Sequence, residues 1–126
     1  MTFFGQKRTV KVDENYSQIA ELTSFWHEMR QKYPEENLLG LGANLSGVES
    51  IDYYIGKIGE ALKGASDSLE IPDEGWEEFN CKLNDKEIEK MYRNVYKQGT
   101  PDYEIESMTS DTFTTKVHFE DKGEKA

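Results

Sequence analysis

The chain has 126 residues, of which 25 are acidic and 15 are basic, so its formal net charge is −10. This length supports one domain with one core. The negative charge opposes a phosphate backbone, so direct nucleic-acid binding is disfavoured, and the same charge attracts cations. An acidic surface that keeps the protein soluble is the simpler explanation of the charge, which is therefore supporting evidence only.

Several classes of protein are disfavoured by what the sequence lacks. The single cysteine cannot form an internal disulfide, the first residues lack the apolar core of a signal peptide, and no apolar run approaches a transmembrane helix. The histidines, His27 and His118, are far apart, and no phosphate-binding glycine loop or Ser-His-Asp arrangement is present. We therefore expect a cytoplasmic protein with no membrane role, no metal and no cofactor.

The first half of the chain predicts a strand, a helix and two further strands. In order, the elements are a strand at Arg8–Val12, a helix that ends at Pro34, and strands at Leu38–Ala43 and Ile51–Ile58. Asn15 and Gln18 resemble a capping box at the start of the helix, and Pro34 cannot continue it. A turn-forming stretch, Asn44–Gly47, separates the two later strands.

The second half repeats this layout. In order, the elements are a strand at Trp76–Leu83, a helix at Ile88–Gln98, and strands at Tyr103–Met108 and Thr112–Phe119. Asn84 and Glu87 form a second capping-box-like start, while Gly99 and Pro101 stop the helix. Tyr92 and Tyr96 follow one another at helical spacing.

The duplication predicts one domain over residues 1–126. Its parts are a first repeat at about 5–58, a connection at 59–75 with a short helical turn near 58–63, a second repeat at about 76–119, and a frayed tail at 120–126. Two helices and about six strands favour an α+β fold, in which one antiparallel sheet carries both helices on one face. Since duplicated halves pack against each other, we expect a ligand groove on the other face.

Strand alternation predicts which side chains occupy each face. The apolar residues expected to face the helices are Val10, Val12, Leu39, Leu41, Phe79, Cys81, Leu83, Ile105, Val117 and Phe119. The opposite face would then carry Gly40, Gly42, Tyr54, Gly56, Trp76, Glu78, Glu104, Glu106 and His118. By the same parity Tyr53 and Tyr103 face the helices. The expected groove thus has a glycine floor, aromatic walls and acidic groups.

Several segments resemble one known family. They are Ile19–Leu22 with Trp26, the glycine strand Leu39–Gly42, Asp52–Gly56, Glu70–Pro72 ahead of Trp76–Phe79, and the helix Ile88–Gln98 with Pro101–Glu104. This pattern, from about Arg8 to Phe119, resembles the GyrI-like effector-binding domains. These domains occur alone, as integron-associated proteins, and as the drug-sensing part of multidrug transcription activators. The chain departs from the family in lacking a Tyr shortly after Glu104 and a proline that closes the last strand.

The resemblance implies that Glu104 is a carboxylate facing the cationic group of a ligand. Tyr53, Tyr54, Trp76 and Tyr103 are candidate walls that stack on the guest, and Glu78 and Glu106 are candidate rim charges. The competing interpretation is a solvated strand carboxylate and ordinary aromatic core packing. Core packing is favoured for Trp26, which belongs to the apolar stripe of the first helix. Cys81 is expected to be a buried thiol.

These features together predict a stand-alone, transcription-regulator-like protein that binds an amphipathic, hydrophobic cation. One alternative is a hydrolase of electrophilic small molecules with Glu104 as general base, although the missing Tyr argues against it. The other is an acidic protein-interaction module that binds a regulatory protein partner, with Glu78 and Glu106 imitating the phosphates of a nucleic acid.

Overall fold

A computed structural model describes residues 1–13, 17–45 and 49–120. Within these residues the chain forms one seven-stranded antiparallel sheet and two helices, so the predicted α+β fold is confirmed. The elements are β1 (Thr2–Lys11), α1 (Ser17–Lys32), β2 (Leu39–Ala43), β3 (Ser50–Ile58), β4 (Asp67–Glu70), β5 (Trp76–Lys82), α2 (Asp85–Tyr96), β6 (Tyr103–Met108) and β7 (Thr112–His118). Neither helix combines the length and apolar character needed to cross a bilayer.

The sheet shows the predicted duplication. Its strand order is β4-β1-β3-β2-β6-β7-β5, so the units β1-α1-β2-β3 and β5-α2-β6-β7 meet where β2 pairs with β6. Across this seam Gly40 lies opposite Glu106, Leu41 opposite Ile105, and Gly42 opposite Glu104. A pseudo-twofold axis therefore passes between Leu41 and Ile105, and the glycines of β2 occupy the positions equivalent to the glutamates of β6.

The connection between the repeats differs from its prediction. It contains a short strand, β4, which pairs with the beginning of β1 and extends the sheet at one edge. The helical turn expected near 58–63 is wrong, because Ile58 ends β3 and residues 59–63 form no helix. A β-turn follows instead, in which Ala65 N donates to Leu62 O at 3.0 Å. Gly64, at φ +85°, supplies the left-handed residue that this turn needs. The first strand also starts at Thr2, earlier than predicted, because β4 gives its first residues a partner.

Local sequence signals set the ends of α2 as predicted. Asn84 is the N-cap, and its side-chain oxygen accepts from Glu87 N at 2.9 Å. Gly99, at φ +122°, follows the last turn, and its amide donates to Tyr96 O at 3.2 Å. The other predicted cap, at Asn15, lies outside the described residues, as do the end of the turn at 46–47 and the tail from 121.

The sheet packs apolar side chains on both faces. On the face that carries the helices, the helix face, the buried core under α1 consists of Val10, Phe25, Met29, Tyr53, Ile55 and Leu62. On the opposite face the buried core consists of Phe3, Leu41, Ala43, Tyr54, Ile71 and Ile105. The β4–β5 connection runs between the two edge strands and brings Ile71 into this second core. Trp76 Nε1, at the start of β5, donates to Pro72 O at 2.8 Å and holds the β4–β5 connection in place.

This second core corrects the predicted faces. Leu39, Leu41 and Ile105 belong to the core of the opposite face, so Gly40, Gly42, Glu104 and Glu106 lie on the helix face. Tyr103 also lies on the opposite face, with Trp76. The prediction failed because it assumed that apolar strand positions meet the helices, whereas the β4–β5 connection covers apolar positions on the other side. Tyr53 lies on the helix face as predicted, and Tyr54 and Trp76 lie on the opposite face.

Candidate functional site

The helix face holds the two glutamates of β6 at the seam between the repeats. The helix α1 packs on the side of β1 and β3, and α2 packs on the side of β5 and β7, so β2 and β6 form the floor between them. Glu104 and Glu106 point to the same side because they are two residues apart on one strand. Gly40 leaves room beside them, since a Cβ there would lie 2.1 Å from Tyr53 Oη.

Glu106 is held by two phenols from different repeats. Tyr53 Oη, from β3, donates to Glu106 Oε1 at 2.6 Å, and Tyr92 Oη, from α2, donates to Glu106 Oε2 at 2.6 Å. Behind them Trp26 Nε1 donates to Tyr53 Oη at 3.1 Å, and Thr115 Oγ1 lies 3.2 Å from Tyr92 Oη. Both carboxylate oxygens are therefore occupied by donors, and the position of the charge is fixed.

Glu104 is the more buried of the two carboxylates, with 8 % of its surface exposed. Tyr96 Oη donates to its Oε1 at 2.6 Å and is the one side-chain donor that the described residues supply to it. Burial and the neighbouring Glu106 charge raise the pKa of Glu104 to about 7, and the Tyr96 hydrogen bond opposes that rise. Glu104 therefore exchanges a proton near neutral pH.

The phenols of this cluster stay protonated. Burial, reinforced by the glutamate charges, raises the pKa of Tyr53, Tyr92 and Tyr96 above the ordinary value of 10.0. They therefore act as hydrogen-bond donors at neutral pH, and they bring no compensating positive charge.

The carboxylate pair has no cationic partner within the described part of the chain. Every ion pair found there joins other residues, and no Lys, Arg or His nitrogen lies within 4.0 Å of Glu104 or Glu106. Phenols compensate part of the cost of removing carboxylates from water, but full compensation requires a cation or a proton. The cluster thus attracts positive charge.

A groove opens above Glu106 between the helices. It has a volume of about 370 Å³, and its lining comprises Ile19, Leu22, Thr23, Trp26, Arg30, Tyr53, Ile88, Glu106, Met108 and Phe113. We call it the interhelical groove. A wider hollow along α2 shares Ile19 and Ile88 with it and reaches Tyr92 and Tyr96. Ile19 is 60 % exposed, so apolar surface is available at the rim.

The structure brings together three of the seven predicted site residues, namely Tyr53, Glu104 and Glu106. The other four lie on the opposite face, so the seven residues do not converge on one site. Tyr54 is buried in the core there, with its ring centroid 6.3 Å from that of Phe3. Its large apolar ring is part of the core under the β4–β5 connection.

The remaining predicted residues, Trp76, Tyr103 and Glu78, also lie away from the glutamates. The rings of Trp76 and Tyr103 pack around His118, whose Nδ1 lies 2.8 Å from Asp102 Oδ1. Glu78 is exposed on the edge strand β5, with Lys116 at 3.9 Å. Since Glu78 and Glu106 lie on opposite faces, they cannot form one acidic interface. No three His, Cys, Asp or Glu side chains converge as metal ligands in the described ranges.

Three groups of the site were not predicted as ligand residues. Tyr92 and Tyr96 lie four residues apart on the side of α2 that faces the sheet, and each binds one glutamate. Trp26, assigned to core packing, is half-buried and lines the interhelical groove. The spacing of the tyrosines was visible in the sequence, but their meeting with the glutamates depends on tertiary packing.

No family model, curated protein or solved structure matched the chain. The case for a ligand site therefore depends on the side chains and their geometry.

The raised pKa of Glu104 predicts a specific pH dependence of stability. The folded protein keeps the Glu104 proton up to about pH 7, whereas an ordinary Glu loses it near 4.5. This group therefore adds stability at low pH, which is lost as the pH rises from 4.5 through 7, by about 3 kcal/mol in total. Urea unfolding should show Glu104→Gln close to wild type at pH 5 and more stable than wild type at pH 8.

The matched control is Glu78→Gln, which removes an exposed carboxylate of the same sheet. We expect this variant to follow the wild-type pH profile. A Glu104→Gln variant with the wild-type slope between pH 5 and 8 would show that Glu104 is not proton-exchanging in the folded protein.

Proposed function

We propose that the chain is a cytoplasmic effector-binding protein whose interhelical groove binds an amphipathic organic cation. The observation that carries the proposal is the pair Glu104 and Glu106, of which Glu104 is buried and Glu106 half-buried; phenols hold both, and neither has a described cationic partner. The mechanism is equilibrium binding with no bond broken. This is the role implied by the resemblance to GyrI-like, transcription-regulator-associated domains.

The charge of the guest follows from the floor of the groove. Two carboxylates roughly 7 Å apart along one strand repel each other, and the repulsion is strong where water is scarce. A guest cation beside Glu106 relieves this repulsion and allows Glu104 to ionise. Since Tyr53 and Tyr92 already fix Glu106 in place, little ordering is required of it when the cation arrives.

The apolar character of the guest follows from the walls. Ile19, Leu22, Ile88 and Phe113 line the groove and give its sides an aliphatic and aromatic surface. A volume of about 370 Å³ is within the range of small-molecule sites. The Trp26 indole, on which the Arg30 guanidinium stacks, adds further aromatic surface to this wall. An inorganic cation would leave these surfaces uncovered.

A binding experiment tests the proposal directly. Isothermal titration calorimetry with a hydrophobic quaternary ammonium compound and its neutral carbon isostere should show tighter binding of the cation. We expect Glu106→Gln and Glu104→Gln to remove that preference, and Glu78→Gln to retain it. At a concentration of about 100 times its dissociation constant the cation should also add roughly 2.7 kcal/mol to the free energy of unfolding. Equal affinity for cation and isostere would contradict the electrostatic part of the proposal.

The hydrolase remains the second candidate because the structure supplies the polar partner that the sequence pattern lacked. Tyr96, from α2, donates to Glu104 Oε1 at 2.6 Å, and the pKa of Glu104 is raised to about 7. A carboxylate with a pKa near the working pH is suited to general-base catalysis. A tyrosine that orients it takes the place of the missing residue after Glu104.

Turnover distinguishes the hydrolase from the binding protein. With an electrophilic amphiphile such as an epoxide, steady-state product release above the buffer rate that is lost in both Glu104→Gln and Tyr96→Phe would establish hydrolysis. The binding proposal predicts buffer-level rates for the wild type and for both variants.

A further inference from the structure

Arg30 places a positive charge at the wall of the acidic groove. It lies one helical turn after Trp26 on α1, and its Cζ is 4.9 Å from the centroid of the Trp26 ring. Arg30 lines the interhelical groove and is exposed. In the described parts of the chain no carboxylate oxygen lies within 4.0 Å of its guanidinium nitrogens. The guanidinium is therefore held by the indole and not by an acid.

One continuous wall connects this cation to the floor. Arg30 stacks on Trp26, Trp26 Nε1 donates to Tyr53 Oη at 3.1 Å, and Tyr53 Oη donates to Glu106 Oε1 at 2.6 Å. The groove thus has a positive group where α1 forms its rim and a negative group at its base. A guest that lies along this wall meets opposite charges at its two ends.

The charges of Arg30 and Glu106 affect the binding of a plain cation and of a zwitterion in different ways. A guest that is only a cation is repelled by the guanidinium, and it must displace that guanidinium before stacking on the Trp26 face that Arg30 covers. A guest that also carries an anionic group at its far end can pair that group with Arg30 while its cation lies beside Glu106. Loss of Arg30 therefore has opposite effects on the affinities of the two guests.

We propose that Arg30 is a specificity-determining residue that makes the interhelical groove select zwitterionic amphiphiles. The cation of the guest is directed to Glu106, and an anionic group at its other end is directed to Arg30. This inference rests on the proposed function and narrows its ligand class.

Two matched probes test the proposal by calorimetry at low ionic strength. They are (4-phenylbutyl)trimethylammonium, a plain cation, and 4-(4-trimethylammoniobutyl)benzoate, which adds a carboxylate at the far end of the ring. The wild type should bind the benzoate more tightly. In Arg30→Gln the benzoate should weaken by about two- to fivefold, and the plain cation should tighten by about the same factor. Both changes should shrink in 0.5 M salt because exposed charges are screened.

Lys32→Gln is the matched control. Lys32 lies on the same last turn of α1 and its Nζ is 5.5 Å from the Tyr33 ring centroid, but it does not line the groove. We expect it to leave the ratio of the two affinities at the wild-type value. If Arg30→Gln changes both affinities in the same direction, or neither, the role of Arg30 is overturned while cation binding stands. If the wild type binds neither probe, the proposed function fails, and the role of Arg30 fails with it.

Discussion

Two glutamates, one buried and one half-buried, lie two residues apart on β6, and the helix face of the sheet supplies the phenol donors that offset the repulsion between them. Phenols from β3 and α2 donate hydrogen bonds to the Glu106 carboxylate. Glu104 accepts from one phenol, and its raised pKa lets it keep a proton up to about pH 7. Hydrogen bonds of this kind reduce the cost of burying the charges without cancelling them. Glu106 lines the interhelical groove and Glu104 lies buried two residues before it on β6, so a cation in the groove would lie beside Glu106.

The duplication explains how the pair and the groove arise in one small domain. At the seam between β2 and β6, Gly40 and Gly42 occupy the positions that Glu104 and Glu106 occupy in the second repeat. Glycine on one side lets the Tyr53 phenol lie over β2, and glutamate on the other side supplies the acceptor for it. Two glutamates in each repeat would place four carboxylates at the seam. The divergence of the halves therefore produces the site, while their similarity produces the sheet.

Local features of the fold could be predicted from the sequence. The face of the sheet on which each set of strand side chains lies could not. The Asn84 cap, the alternation of β6 and the end of α2 each depend on a few neighbouring residues. Alternation separates Leu41 and Ile105 from Gly40 and Glu104, but it does not tell which set meets the helices. That choice depends on the β4–β5 connection, whose Ile71 packs on the opposite face, a contact between residues far apart in the chain. Tyr92 and Tyr96 were not predicted for the same reason, since their hydrogen bonds to Glu106 and Glu104 depend on how α2 packs on β6.

We propose that a guest cation beside Glu106 replaces the proton of Glu104, and carboxyl-carbon NMR of glutamate-labelled protein measures this exchange. With Glu104→Gln to assign the signal, the Glu104 carboxyl should titrate with a midpoint near 7 in the free protein. A saturating quaternary ammonium guest should lower that midpoint by about one unit or more, and its neutral isostere should not. A midpoint at the ordinary value of 4.5 in the free protein, or one that the cation leaves unchanged, would show that no cation replaces the Glu104 proton.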